Sequence, residues 1–235
     1  DVLINARHAA DAAGATKMDR PEWTAVIPKN GDVYLTLTNN SARALASTDA
    51  ANPRYYNDPK GAAKTAQRGN PNGHVVRFAD ANRDPAATSF TWDVYLFGSR
   101  ATMSADINAS GLTEDNDFSS PDGMWFSQAA AGLLWLQTDD GKFTDVTNCM
   151  MLAALPGQVG DGGKRTLTNI SSDGKTTKTQ DTVVGAQATG TTLRRFLVGP
   201  VACEITGIAE SGDGKAIFVN IQHPGEDGKT ATDPA

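Results

Sequence analysis

Residues 21–40 read PEWTAVIPKNGDVYLTLTNN, two short strands around a tight turn. Val33, Leu35 and Leu37 alternate with Tyr34, Thr36 and Thr38, the period of a half-buried strand. Asn30-Gly31 supplies the hairpin turn. The pattern recurs twice, in PDGMWFSQAAAGLLWLQTDD (121–140) and CEITGIAESGDGKAIFVNIQ (203–222), with glycine turns at 130–132 and 212–214. Each copy carries an acid near its start: Glu22, Asp122 and Glu204. Eleven residues after each acid the second strand is expected to begin, at Val33, Leu133 and Lys215. Sixteen residues after it stands a small polar residue, Thr38, Thr138 or Asn220.

A hairpin unit repeated along an all-β chain predicts a β-propeller, with four-stranded blades around a central channel. A β-sandwich is the alternative. The acids are 100 and 82 residues apart, room for two blades per interval at roughly 40–50 residues each. Between the units, 73–79 and 90–98 read as a strand pair and 192–200 as a single strand. Residues 6–14 suggest one or two helical turns. The Gly/Thr-rich tract 157–191 is a polar insertion, either a long hairpin or a mobile loop. Residues 1–235 thus form one propeller segment, with several blades of an incomplete ring.

Composition narrows the function classes. Acidic residues outnumber basic ones 27 to 21, and no basic stripe supports nucleic-acid binding. No run approaches the roughly 18–20 apolar residues of a membrane span. There is no G-x-S-x-G elbow, and SDGKTTKT (172–179) lacks P-loop spacing. His8, His74 and His223 stand apart, without a zinc-type pair. Cys149 and Cys203 read as buried free thiols, with a disulfide open if the protein is exported. Trp23, Trp92, Trp125 and Trp135 fall mostly at core-facing strand positions. The start at Asp1, without Met or a signal sequence, reads as that of a fragment or processed product.

In a propeller, equivalent positions of different blades meet at one channel mouth. Carboxylates brought together there repel and raise one another's pKa; a hard, oxygen-seeking cation such as Ca²⁺ removes that cost. Arg20, stiffened by Pro21, either grips an oxyanion or pairs with Asp19 or Glu22. Thr138 offers a hydroxyl to the same anion, while Asp139 and Asp140 either ligate metal or face solvent.

The blocks DRPEWTAV, VYLTLTNN, SPDGMWF, LWLQTD, RRFLVGPVACEITG and FVNIQHPGE resemble, in order, the C-terminal part of PhoX-type alkaline phosphatases. That resemblance implies a bacterial phosphomonoesterase, periplasmic or secreted through a twin-arginine signal, with a propeller fold and a Ca²⁺/Fe³⁺ cluster. It implies metal ligation by Glu22, Asp122 and Glu204, and phosphate binding by Arg20 and Thr138. Lys142 and Lys164 both remain open for a phosphate-binding lysine. Neither cysteine matches the family's iron ligand, which lies upstream of the matched region. The expected partners are a phosphomonoester and an N-terminal part of the same protein, without which the fragment is weak or inactive. The alternative is a non-catalytic, calcium-stabilised module that binds a ligand or partner.

Overall fold

A computed structural model describes residues 1–225. One short helix, α1 (Ala6–Ala12), precedes fourteen strands. They are β1 (Pro21–Val26), β2 (Val33–Leu37), β3 (Tyr56–Asn57), β4 (Arg68–Gly69), β5 (His74–Asp80), β6 (Phe90–Phe97) and β7 (Pro121–Phe126). The rest are β8 (Leu134–Thr138), β9 (Met150–Ala154), β10 (Gly163–Ile170), β11 (Thr177–Val184), β12 (Leu193–Val198), β13 (Glu204–Glu210) and β14 (Ile217–Gln222).

Two four-stranded antiparallel blades follow in sequence, β1-β2-β5-β6 and β7-β8-β9-β12, and β13-β14 forms a third hairpin. The first strands meet side by side, β1 against β7 and β7 against β13. The arrangement is propeller-like, with its sheets fanned and unclosed, and the sandwich alternative is set aside.

Side-chain alternation explains the stacking. Leu134 and Leu136 of β8 face the first blade, packing with Tyr34, Val75 and Leu96. Trp135, between them, faces the third hairpin with Met151 and Ile205. A strand covered on both faces must be apolar at successive positions, and every residue of Leu134-Trp135-Leu136-Gln137-Thr138 is buried. Tyr34 stands edge-on to Phe126, with ring centroids 5.1 Å apart, the arrangement favoured by the ring quadrupoles.

The tract 157–191 folds into the hairpin β10-β11, whose Val184 pairs in parallel with Val94 of β6. Arg77, fully buried, ties it down: its Nε and Nη2 donate to Asp93 at 2.9 Å, and Nη2 also donates to Asp161 at 2.8 Å.

The repeat differs from its expected spacing at the turn end. β2 begins at Val33 as read, but β8 begins at Leu134 and β14 at Ile217. Glu22 and Asp122 lie four residues before the ends of their strands, and Glu204 lies six before Glu210. The third hairpin is therefore longer, and Asn220 falls inside β14 rather than at its end.

Candidate metal centre

The other end of each hairpin keeps the repeat. Two residues before each acid, the backbone enters the left-handed region: φ is 48° at Arg20, 51° at Ser120 and 53° at Ala202. Such a conformation is uncommon without glycine and costs roughly 1–3 kcal/mol per residue. In each unit the kinked residue's carbonyl accepts an N–H from beyond the second strand: Thr38 to Arg20 (3.2 Å), Asp139 to Ser120 (3.1 Å) and Gly225 to Ala202 (3.2 Å). The three units thus share a backbone kink two residues before the acid.

Asp122, Asp139 and Glu204 each bring a carboxylate oxygen within 4.8 Å of the other two. Burial, then the Glu22 and Asp139 charges, push Asp122 up to about 6, with Arg20 pulling the other way. Burial, then Asp139 and Asp122, push Glu204 up to about 7, opposed by His223. Glu22 adds its charge to both. Asp122 and Glu204 are thus harder to ionise, first because they are partly buried and then because neighbouring carboxylates repel them.

Arg20 resolves its sequence alternatives in part. Its Nη2 lies 3.5 Å from Glu22, and Nη1 donates to Asn39 Oδ1 at 2.9 Å. Asp19 instead pairs with Arg43 at 2.7 Å. The Arg20 side chain is 56% exposed, so its bond to Glu22 is weak and the guanidinium stays open to a ligand.

Thr138 is placed differently. It is 1% exposed, and its hydroxyl accepts Met150 N–H at 2.9 Å while lying 3.4 Å from Met150 O. That hydroxyl holds β8 to β9, one residue before Asp139.

The pair Asp139-Asp140 divides its labour. Asp139 is exposed and joins the cluster. Asp140 is buried and turns back to accept the Lys142 N–H at 2.7 Å and the Phe143 N–H at 2.9 Å. Asp139 is the ligand candidate that sequence left undecided. The Asx-type turn in Asp140-Gly141-Lys142-Phe143 was the available signal.

Lys142 and Lys164 lie on different elements, Lys142 beyond β8 and Lys164 in β10. Cys149 and Cys203 are free, buried and packed in one apolar cluster, and burial pushes the Cys149 thiol up to about 12. His74 is fully buried, with its ring nitrogens on Asn70 and Ala51 O.

The model of the family described as "Alkaline phosphatase PhoX" matches residues 1–225. The chain belongs to the PhoX alkaline phosphatase family. No curated protein matches it. Among solved structures it is similar to Pseudomonas fluorescens PhoX in complex with vanadate, a transition state analogue, at 34% identity and a TM-score of 0.67. That match covers 99% of this chain and 34% of the PhoX chain, so the chain spans about a third of that PhoX's length. No helix among the described residues is long and apolar enough to cross a membrane.

Proposed function

We propose that this chain carries the metal- and phosphate-binding face of a metal-dependent phosphomonoesterase. The observation that carries the reading is the meeting of Asp122, Asp139 and Glu204 beside the Arg20–Glu22 pair.

The donor set fits a hard cation. All three close ligands are carboxylates, as Ca²⁺ prefers, and two are held above their ordinary pKa by burial and by the neighbouring carboxylate charges. Asp122, Asp139 and Glu204 would hold Ca²⁺, with Glu22 beside them. Fe³⁺ joins the reading through the family resemblance, and its thiol would come from outside these residues, since both cysteines here are buried in the core. When bound, such cations supply Lewis acidity toward a phosphoryl oxygen and toward water.

The chain's own residues do the rest. Arg20 presents an exposed planar fork suited to two phosphate oxygens. Its positive charge complements charge developing on the transferred group. Thr138 fixes the end of β8 and so the placing of Asp139.

The partner within the longer protein would cover apolar surface left open here. Phe196 and Val198 on β12 are 57% and 47% exposed, and Phe218 on β14 is 65% exposed. Among the described residues β14 is an edge, bonded to β13 alone, and unpaired edges accept further strands. The 235-residue chain alone is thus expected to be weak or inactive.

The test is p-nitrophenyl phosphate turnover by the full-length protein, with and without chelator, beside Asp122→Asn and Arg20→Ala. Loss of turnover on chelation and in both variants supports the reading. Turnover indifferent to chelation and to Asp122→Asn overturns it. Calcium binding without turnover in the full-length protein favours the non-catalytic module.

A further inference from the structure

Arg20, the proposed phosphate-binding residue, is held in a backbone conformation that arginine rarely adopts. Something must hold it there. Ser120 and Ala202, kinked alike, follow Ser119 and Val201. Arg20 follows Asp19, whose side chain is 0% exposed.

The Asp19 carboxylate is bound on both oxygens. Oδ1 accepts from Asn40 Nδ2 at 2.7 Å and from Arg43 Nε at 2.8 Å, with Arg43 Nη2 at 2.7 Å. Oδ2 accepts from Asn70 Nδ2 at 3.1 Å, and the Asp19 N–H donates to Asn52 Oδ1 at 3.0 Å. Arg43 is itself anchored on Ser47 O and Lys17 O. One buried carboxylate thus ties together the segments around 40–43, 52 and 70. Charge-assisted bonds of this kind are short and directional, and they end one residue from the anion-binding fork.

Among the described residues the Arg20 side chain is steadied by Asn39 alone, apart from the weak Glu22 pair. The direction of the fork is therefore set from the backbone, at the Asp19–Arg20 link. We propose that Asp19 is a positioning residue: the buried Asp19–Arg43–Asn40–Asn70 clamp holds the left-handed turn at Arg20 and thereby sets its guanidinium for phosphate. This rests on the phosphomonoesterase reading and adds a residue to it. Misplacing an oriented group by about 1 Å can cost on the order of a hundredfold, so a clamp of this kind has a measurable effect.

The experiment uses the full-length, cation-loaded protein, with p-nitrophenyl phosphate as substrate and inorganic phosphate as competitive inhibitor. Asp19→Asn is expected to lower kcat/KM and to raise the phosphate inhibition constant, each about tenfold, with cation content unchanged. Arg43→Lys, which keeps the charge but loses the fork, is expected to move them about threefold in the same direction. Phosphate binding measured directly by titration calorimetry in an Arg20→Ala background, where turnover is lost, is expected to change less than about twofold with Asp19→Asn, because coupled residues are non-additive. A general loss of packing would act equally in both backgrounds. The inference is overturned if Asp19→Asn and Arg43→Lys leave phosphate affinity unchanged, if their effects persist in full without Arg20, or if they act by stripping the cation. A wild-type protein that binds no phosphate overturns the phosphomonoesterase reading, and this inference with it.

Discussion

Removing the cation should make this protein's stability fall as pH rises from about 4 to 7. In the folded chain Asp122 moves from 3.8 to about 6 and Glu204 from 4.5 to about 7. Both are acids whose folded pKa is raised, so between these limits the folded state binds more protons than the unfolded one. Stability is therefore greatest below the unfolded values and is lost as pH climbs through the folded ones. Taken at 1.36 kcal/mol per pKa unit, each group would cost about 3 kcal/mol at pH 7.5. Both are partly exposed, and solvent screening cuts this to about 1 kcal/mol apiece. A combined ~2 kcal/mol corresponds to about 4–8 °C in Tm for a chain of this size. His74, held down to about 4 by burial, works in the opposite sense over the same range, so the informative quantity is a difference. The assay is thermal unfolding in EDTA from pH 4.5 to 7.5, for wild type and for Asp122→Asn with Glu204→Gln. The double variant should gain about 4–8 °C on wild type at pH 7.5 and almost nothing at pH 4.5. Calcium should erase the gap by raising the wild type alone. A gap independent of pH, or one unchanged by calcium, would refute the reasoning.

Three further outcomes are expected. Thr138→Val should cost about 1–2 kcal/mol in urea unfolding, because Met150 N–H loses its acceptor. Phosphate affinity in the full-length protein should stay within about twofold of wild type; a larger loss would make Thr138 a phosphate ligand after all. Arg77→Ala should cost about 3–5 kcal/mol, since it strands the buried Asp93 carboxylate. Hydrogen exchange in β10-β11 should rise with it, and a change within about 1 kcal/mol would show the ion pair to be dispensable. Cys149 and Cys203, both buried, should react with an aromatic disulfide reagent only as the chain unfolds. Rapid labelling of the native protein would count against their core placement.

The hairpins were legible because Val33, Leu35 and Leu37 alternate strictly and Gly31 marks the turn. β8 was legible as a strand, but LWLQT lacks alternation because blades cover both its faces. The acids at 22, 122 and 204 could be aligned because the apolar hairpin pattern that follows each recurs in register. The meeting of Asp122 with Glu204, which leaves Glu22 beside the close group rather than in it, depends on strands 82 residues apart, which no local pattern encodes. Asp139 and Asp140 were indistinguishable as letters; hydrogen bonding of Asp140 to Lys142 and Phe143 separates them. Asp19 was hidden for a similar reason. Its partners, Asn40, Arg43, Asn52 and Asn70, come from loops whose pairing follows from the fold.

The centre draws Asp122 from β7, Asp139 from beyond β8 and Glu204 from the start of β13. No segment shorter than 122–204 holds all three. Closing so long a stretch is entropically slow, and contacts of high sequence separation form late in folding. On the proposed reading, a cation would be captured tightly only after the second blade and the third hairpin have docked. Metal uptake by the refolding chain is therefore a clock: it should lag the burial of Trp135, and its rate should report the final docking step.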